Sequence, residues 1–77
     1  MKIEVFGSGC AKCKNTKNII KEVLERHNFS AEILEVNEID DIVARGVLMT
    51  PAVAIDGKVK ISGRVPTEDE IEKLLGL

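Results

Sequence analysis

Aromatic side chains are nearly missing from this 77-residue chain: Phe6 and Phe29 stand alone, with neither tryptophan nor tyrosine. A site that stacks bases on rings, as single-stranded nucleic acid requires, has little to be built from. A dominant charge is missing too. Eleven lysines and arginines against thirteen aspartates and glutamates leave a net charge of −2. That balance gives neither a phosphate backbone nor an anionic membrane a reason to bind, so no nucleic-acid or membrane partner is expected. No apolar run approaches the ~20 residues of a membrane span. The opening "MKIEVFGSG" is too short and too charged for a secretory leader, and a cytoplasmic protein is expected. Histidine occurs once and cysteine twice, too few for the four ligands of a structural zinc site.

What is present is a single cysteine pair, Cys10 and Cys13, in "GSGCAKC". In the cytosol disulfides are rarely structural, so such a pair points to redox exchange or metal binding, with simple packing as the bland alternative. The chain is 44% hydrophobic, enough for one small domain over residues 1–77 with a modest core.

Periodicity orders that domain. Met1 to Phe6 alternates Ile3 and Val5 with Lys2 and Glu4, then breaks at Gly7, which predicts a strand. Ala11 to His27 has helical period, with Cys13, Thr16, Ile19, Ile20, Val23 and Leu24 as its apolar set and Gly9 just before it. Phe29 to Val36 reads as a second strand and Glu38 to Arg45 as a short helix, with Gly46 as its stop. Ala52 to Ile55 is an unbroken apolar run, as for a strand buried on both faces. Asp56-Gly57 is a hairpin turn into Lys58 to Ser62, where Val59 and Ile61 are expected to point one way and Lys58 and Lys60 the other. In "PTEDEIEKLLGL", Thr67 and Glu70 form a capping box ahead of the stripe Ile71, Leu74 and Leu75. The order β-α-β-α-β-β-α contains one crossover and one hairpin. It implies an α/β fold, a four-stranded mixed sheet flanked by three helices.

The first helix makes the two thiols unequal. At ~100° per residue from Lys12, Ile19, Ile20, Val23 and Leu24 fall between about −20° and +120°. Cys13, near +100°, sits at the edge of that face and is expected half buried; Cys10, near +160°, points outward at the helix start. Unpaired N–H groups and the positive end of the helix dipole favour a thiolate at Cys10, and Lys12, between the cysteines, adds charge beside it. Lys14, Lys17 and Lys21 share the face away from the core, where a solvated surface is the bland reading. His27 lies more than ~20 Å along the helix from Cys10, too far to act as its base or share a metal with it.

A second signal is "MTPAVAIDG", with a proline immediately before the buried strand. Proline is acceptable at a strand's first residue. Most X–Pro bonds are trans, and a cis bond would fix a tight bend.

Together "GSGCAKC", "RGVLMTPAVAIDGKV" and "SGRVPTEDEIEKLL" resemble the small, glutaredoxin-sized, thioredoxin-like redox-active disulfide proteins of archaea and bacteria, over essentially the whole chain. The resemblance implies a thioredoxin fold and a thiol–disulfide oxidoreductase. Cys10 would be the attacking nucleophile and Cys13 the resolving thiol. Thr50 before a cis Pro51 would offer its backbone to a bound peptide, with Gly63 beside it. It implies no cofactor beyond the Cys10–Cys13 disulfide and no metal. The partners implied are disulfide-bearing proteins or small molecules and an upstream reductase, and the chain would be a monomer. Gly9 replaces the tryptophan that true thioredoxins carry before the first cysteine, and Ala11-Lys12 replaces their Gly-Pro. The competing reading is a carrier of a soft, copper-type metal held by the two thiolates. Small metal-carrying domains with that motif run β-α-β-β-α-β and end in a strand, whereas this chain ends in a capped helix.

Overall fold

The computed structural model describes residues 1–7 and 11–77. Their elements are β1 (Lys2–Phe6), α1 (Ala11–Arg26), β2 (Glu32–Val36), α2 (Ile39–Ala44), β3 (Ala52–Ile55), β4 (Lys58–Ser62) and α3 (Glu68–Leu75). The sheet order is β2-β1-β3-β4. β1 and β2 run parallel, joined through α1, while β3 is antiparallel to both β1 and β4. This is the mixed four-stranded sheet that the element order implies.

The alternation of β1 sorts the core into two layers. Ile3 and Val5 face a cluster completed by Ile20, Val23 and Leu24 of α1, Val53 and Ile55 of β3, Ile61 of β4, and Ile71 and Leu75 of α3. Phe6 faces the opposite side, with Ala52, Ala54, Ile42 of α2 and Val47. All four residues of β3 are buried, as a central strand covered on both faces requires.

Glu4 shares the Phe6 face and is buried. Its carboxylate is satisfied by Arg45, at the end of α2, whose two terminal nitrogens donate at 2.6 and 2.8 Å. The same guanidinium lies 5.3 Å from the centre of the Phe6 ring. These hydrogen bonds hold the Glu4 carboxyl below its usual range against the opposing effect of burial.

Each helix stops on a left-handed residue, Asn28 at φ 51°, Gly46 at 79° and Gly76 at 77°. In each case the following N–H reaches back five residues, from Phe29 to Leu24, Val47 to Ile42 and Leu77 to Glu72. This C-terminal motif explains why β2 starts later than its apolar pattern does: Phe29 is used to close α1 and pack on its end. At the start of α3 the Thr67 side chain accepts from the Glu70 N–H and the Glu70 carboxylate accepts from the Thr67 N–H, a complete capping box.

The hairpin departs from its expected pattern. Asp56 and Gly57 both have positive φ, 49° and 88°, the two-residue turn that suits twisted strands. Beyond it, Ile61 pairs with Val53 but Val59 pairs with Ala54, so Lys60 is an extra residue in the ladder. Val53 and Ala54 face opposite sides. The bulge therefore turns Val59 away from Ile61, and Val59 is 41% exposed while Ile61 is buried.

Candidate functional site

The strand ends define the site. Beyond β1, the Gly7 N–H donates to the Val36 carbonyl at 3.0 Å, which continues the β1–β2 ladder by one step. Phe6 pairs with Ala52, so Gly7 and Pro51 stand side by side at the same end of the sheet. Ser62 also pairs with Ala52, which brings Gly63 to that end.

Cys13 comes to this place from α1. It is 6% exposed, more buried than its place at the edge of the helical core face predicts. The reason is Gly7: a β-carbon there would lie 2.1 Å from Cys13 Sγ and 2.9 Å from its Cβ. The strand end thus packs directly on the thiol, and only a residue without a side chain allows it. This role for Gly7 is absent from the sequence reading, where it only ends a strand. The signal was a glycine at a strand terminus six residues before the cysteine of the helix face. Cys10, with Ser8 and Gly9, lies outside the described residues, and so does its expected outward position at the helix start.

A small cavity of about 90 Å³ opens beside Cys13, lined among the described residues by Val5, Gly7, Lys14 and Glu35 as well. Glu35 is ion-paired with Lys17, whose hydrogen bond and charge hold its carboxyl below the ordinary range. Part of the lysine row is therefore engaged rather than simply solvated. Lys12 is exposed, and its carbonyl accepts from Thr16 Oγ1 at 2.8 Å, a bond that satisfies the buried hydroxyl. His27 meets the Glu72 carboxylate of α3, a link between helices far from Cys13 in the chain.

The third component is the segment before β3. The Thr50–Pro51 peptide bond is cis. The Pro51 carbonyl accepts from the Gly63 N–H at 2.9 Å, and Ser62 Oγ donates to the Met49 carbonyl at 3.4 Å. Gly63 adopts φ 82°, and a β-carbon on it would sit 3.3 Å from Met49 Cβ. Thr50, Pro51 and Gly63 thus form one unit. Thr50 is exposed, and among the described residues no hydrogen bond reaches its backbone. An N–H and a carbonyl left open beside a sheet end can accept an added extended segment.

A cysteine in the first turns of a crossover helix, beside a cis-proline segment at one end of a mixed four-stranded sheet, is the arrangement of the thioredoxin-type thiol–disulfide oxidoreductases. The family model for the thioredoxin domain matches residues 1–76. A thioredoxin of Methanothermobacter thermautotrophicus is 37% identical over 75 residues, covering 97% of this chain and 97% of the relative. A thioredoxin of Methanocaldococcus jannaschii is 37% identical over 73 residues, covering 95% and 84% respectively. The chain belongs to the thioredoxin domain family and is an enzyme of its oxidoreductase class.

Proposed function

We propose that this protein, as one domain over residues 1–77, reduces disulfides of other proteins by a two-step exchange carried by Cys10 and Cys13. Cys10 attacks as the thiolate, supported by the helix N-terminus and by Lys12. Its sulfur bonds to one substrate sulfur, the substrate S–S bond breaks, and the second substrate sulfur leaves as a thiolate that takes up a proton. Cys13 then gives up its proton and attacks the Cys10 sulfur. The Cys10–Cys13 disulfide closes and the first substrate sulfur is released as a thiol. One substrate disulfide becomes two thiols, and two electrons have passed to it from the protein dithiol. An upstream reductase returns them, and no other cofactor enters. Thr50 holds the substrate backbone ahead of Pro51, with Gly63 beside it.

The observation that carries this reading is Cys13 wrapped against Gly7 at the sheet end it shares with the cis Thr50–Pro51 segment. A thiol held there is shielded from solvent and only three residues along the sequence from Cys10. The chain acts in the cytoplasm as a monomer. The reduced protein should precipitate insulin chains with dithiothreitol as electron donor, and Cys10→Ser should abolish this. Precipitation unchanged by Cys10→Ser would refute the reading. Stoichiometric copper in protein purified under reducing conditions would favour the metal carrier instead.

A further inference from the structure

Large apolar side chains that stay exposed among the described residues concentrate on one stretch: Ile39, Val43, Leu48 and Met49, with Leu48 87% and Ile39 70% exposed. Ile39, Val43 and Leu48 rim a groove of about 250 Å³ between α2 and the segment that leads to Pro51. Buried Ile42 and Val47 lie in its floor and Thr50 at its end. The groove is therefore continuous with the open Thr50 backbone.

Its charge is one-sided. Ile39, Ile42 and Val43 form the apolar stripe of α2. At ~100° per residue Asp40 lies next to Val43 on the solvent side, and Glu38 flanks the stripe at the helix entry. Glu38, Asp40 and Asp41 have no ion-pair partner among the described residues. Arg45, the only cation in the sequence between Asn37 and Pro51, is turned inward onto Glu4 and Phe6. Lys12 and Lys14 belong to α1, on the opposite face of the sheet. The α2 side of the site thus joins exposed apolar surface to unneutralised negative charge.

We propose that this groove selects its substrate: a disulfide-bearing segment in which the cysteine is followed by an apolar residue and then by lysine or arginine. The apolar residue fills the space between Leu48, Val43 and Ile39, and the cations face Glu38 and Asp40, whereas Asp41 lies on the far side of α2. This rests on the redox reading above, for which it names the substrate class.

Three matched peptides test it, each a Cys-Leu sequence followed by two lysines, two glutamines or two glutamates, with the cysteine as a mixed disulfide to thionitrobenzoate. With dithiothreitol regenerating the protein dithiol and its direct reaction with the peptide subtracted, release of the coloured thiolate gives kcat/KM. At ~20 mM ionic strength the lysine peptide should exceed the glutamate peptide by about tenfold, with glutamine between, and the ratio should shrink toward one at ~0.5 M salt. Glu38→Gln and Asp40→Asn together should collapse the ratio without salt, whereas Asp41→Asn should change it little. Leu48→Ser should raise KM for all three peptides. A ratio near one at low salt, or one that survives the double replacement, overturns the proposal. If none of the peptides is turned over, the redox reading fails, and docking is then judged alone with serine in place of the peptide cysteine. Shifts at the Val43, Leu48 and Met49 amides with the lysine peptide and not the glutamate peptide would support the groove. No shifts would overturn it.

Discussion

Gly7 carries a constraint that no property of glycine as a backbone element explains, because its role is to be small. Gly7→Ala places a methyl 2.1 Å from the Cys13 sulfur, so either α1 or the strand end must move. Overpacking of this kind costs roughly 1–3 kcal/mol. Urea unfolding of the reduced protein should show that loss, and the mixed disulfide with a substrate should persist longer as Cys13 is displaced. A variant with unchanged stability and turnover would show that the strand end yields freely. Cys13 itself was legible, because a 3.6-residue period assigns each helical residue to a face from sequence alone. Its contact with Gly7 was not, since that depends on how a helix crosses a strand. The same holds for Glu4 and Arg45, 41 residues apart: alternation assigns Glu4 to a side of β1, but nothing local says that α2 will end above it.

Elements were legible wherever a local rule fixes them. The Thr67–Glu70 capping box, the Asp56-Gly57 turn and the stop at Gly46 each depend on a few adjacent residues, and each stands where the sequence puts it. Thr67→Ala should cost roughly 0.5–2 kcal/mol in chemical denaturation through loss of the cap. Strand β4 shows where a local rule gives way. Simple alternation puts Val59 beside Ile61, but the extra residue Lys60 reverses Val59. A bulge is set by the fit of twisted strands across the ladder and leaves no mark in a five-residue pattern. The two valine and isoleucine positions should therefore respond differently. Ile61→Ala should lower stability by about 2–5 kcal/mol, whereas Val59→Thr should stay within about 0.5 kcal/mol. Equal losses would mean that β4 pairs without the bulge.

Among the described residues, four ion pairs tie segments distant in sequence and a fifth, Arg64–Glu70, closes the entry to α3, and together they give stability a defined pH dependence. Glu4, Glu35, Glu68 and Glu70 are all held below the ordinary carboxylate value by hydrogen bonds from Arg45, Lys17, Arg26 and Arg64, Glu70 to about 2. A carboxyl whose folded value is lowered binds protons more readily when unfolded, so its contribution is complete above the unfolded value and lost as pH falls through the folded one. The thermal midpoint should accordingly be flat above pH 4.5 and fall between 4.5 and about 2, the window of Glu70. High salt should reduce the exposed pairs' share of that fall more than the share of buried Glu4. A midpoint that rises on acidification would contradict these assignments. The redox account brings cysteine, strand end and cis-proline segment together at one end of the sheet, and its central claim is the division of labour between two thiols. The most direct measurement is mass spectrometry of Cys13→Ser and Cys10→Ser proteins after incubation with a disulfide-bearing peptide. The account predicts a lasting mixed disulfide on Cys10 in the Cys13→Ser protein and no adduct in the Cys10→Ser protein. An adduct on Cys13 in the Cys10→Ser protein, with none in its counterpart, would reverse the roles and contradict the account.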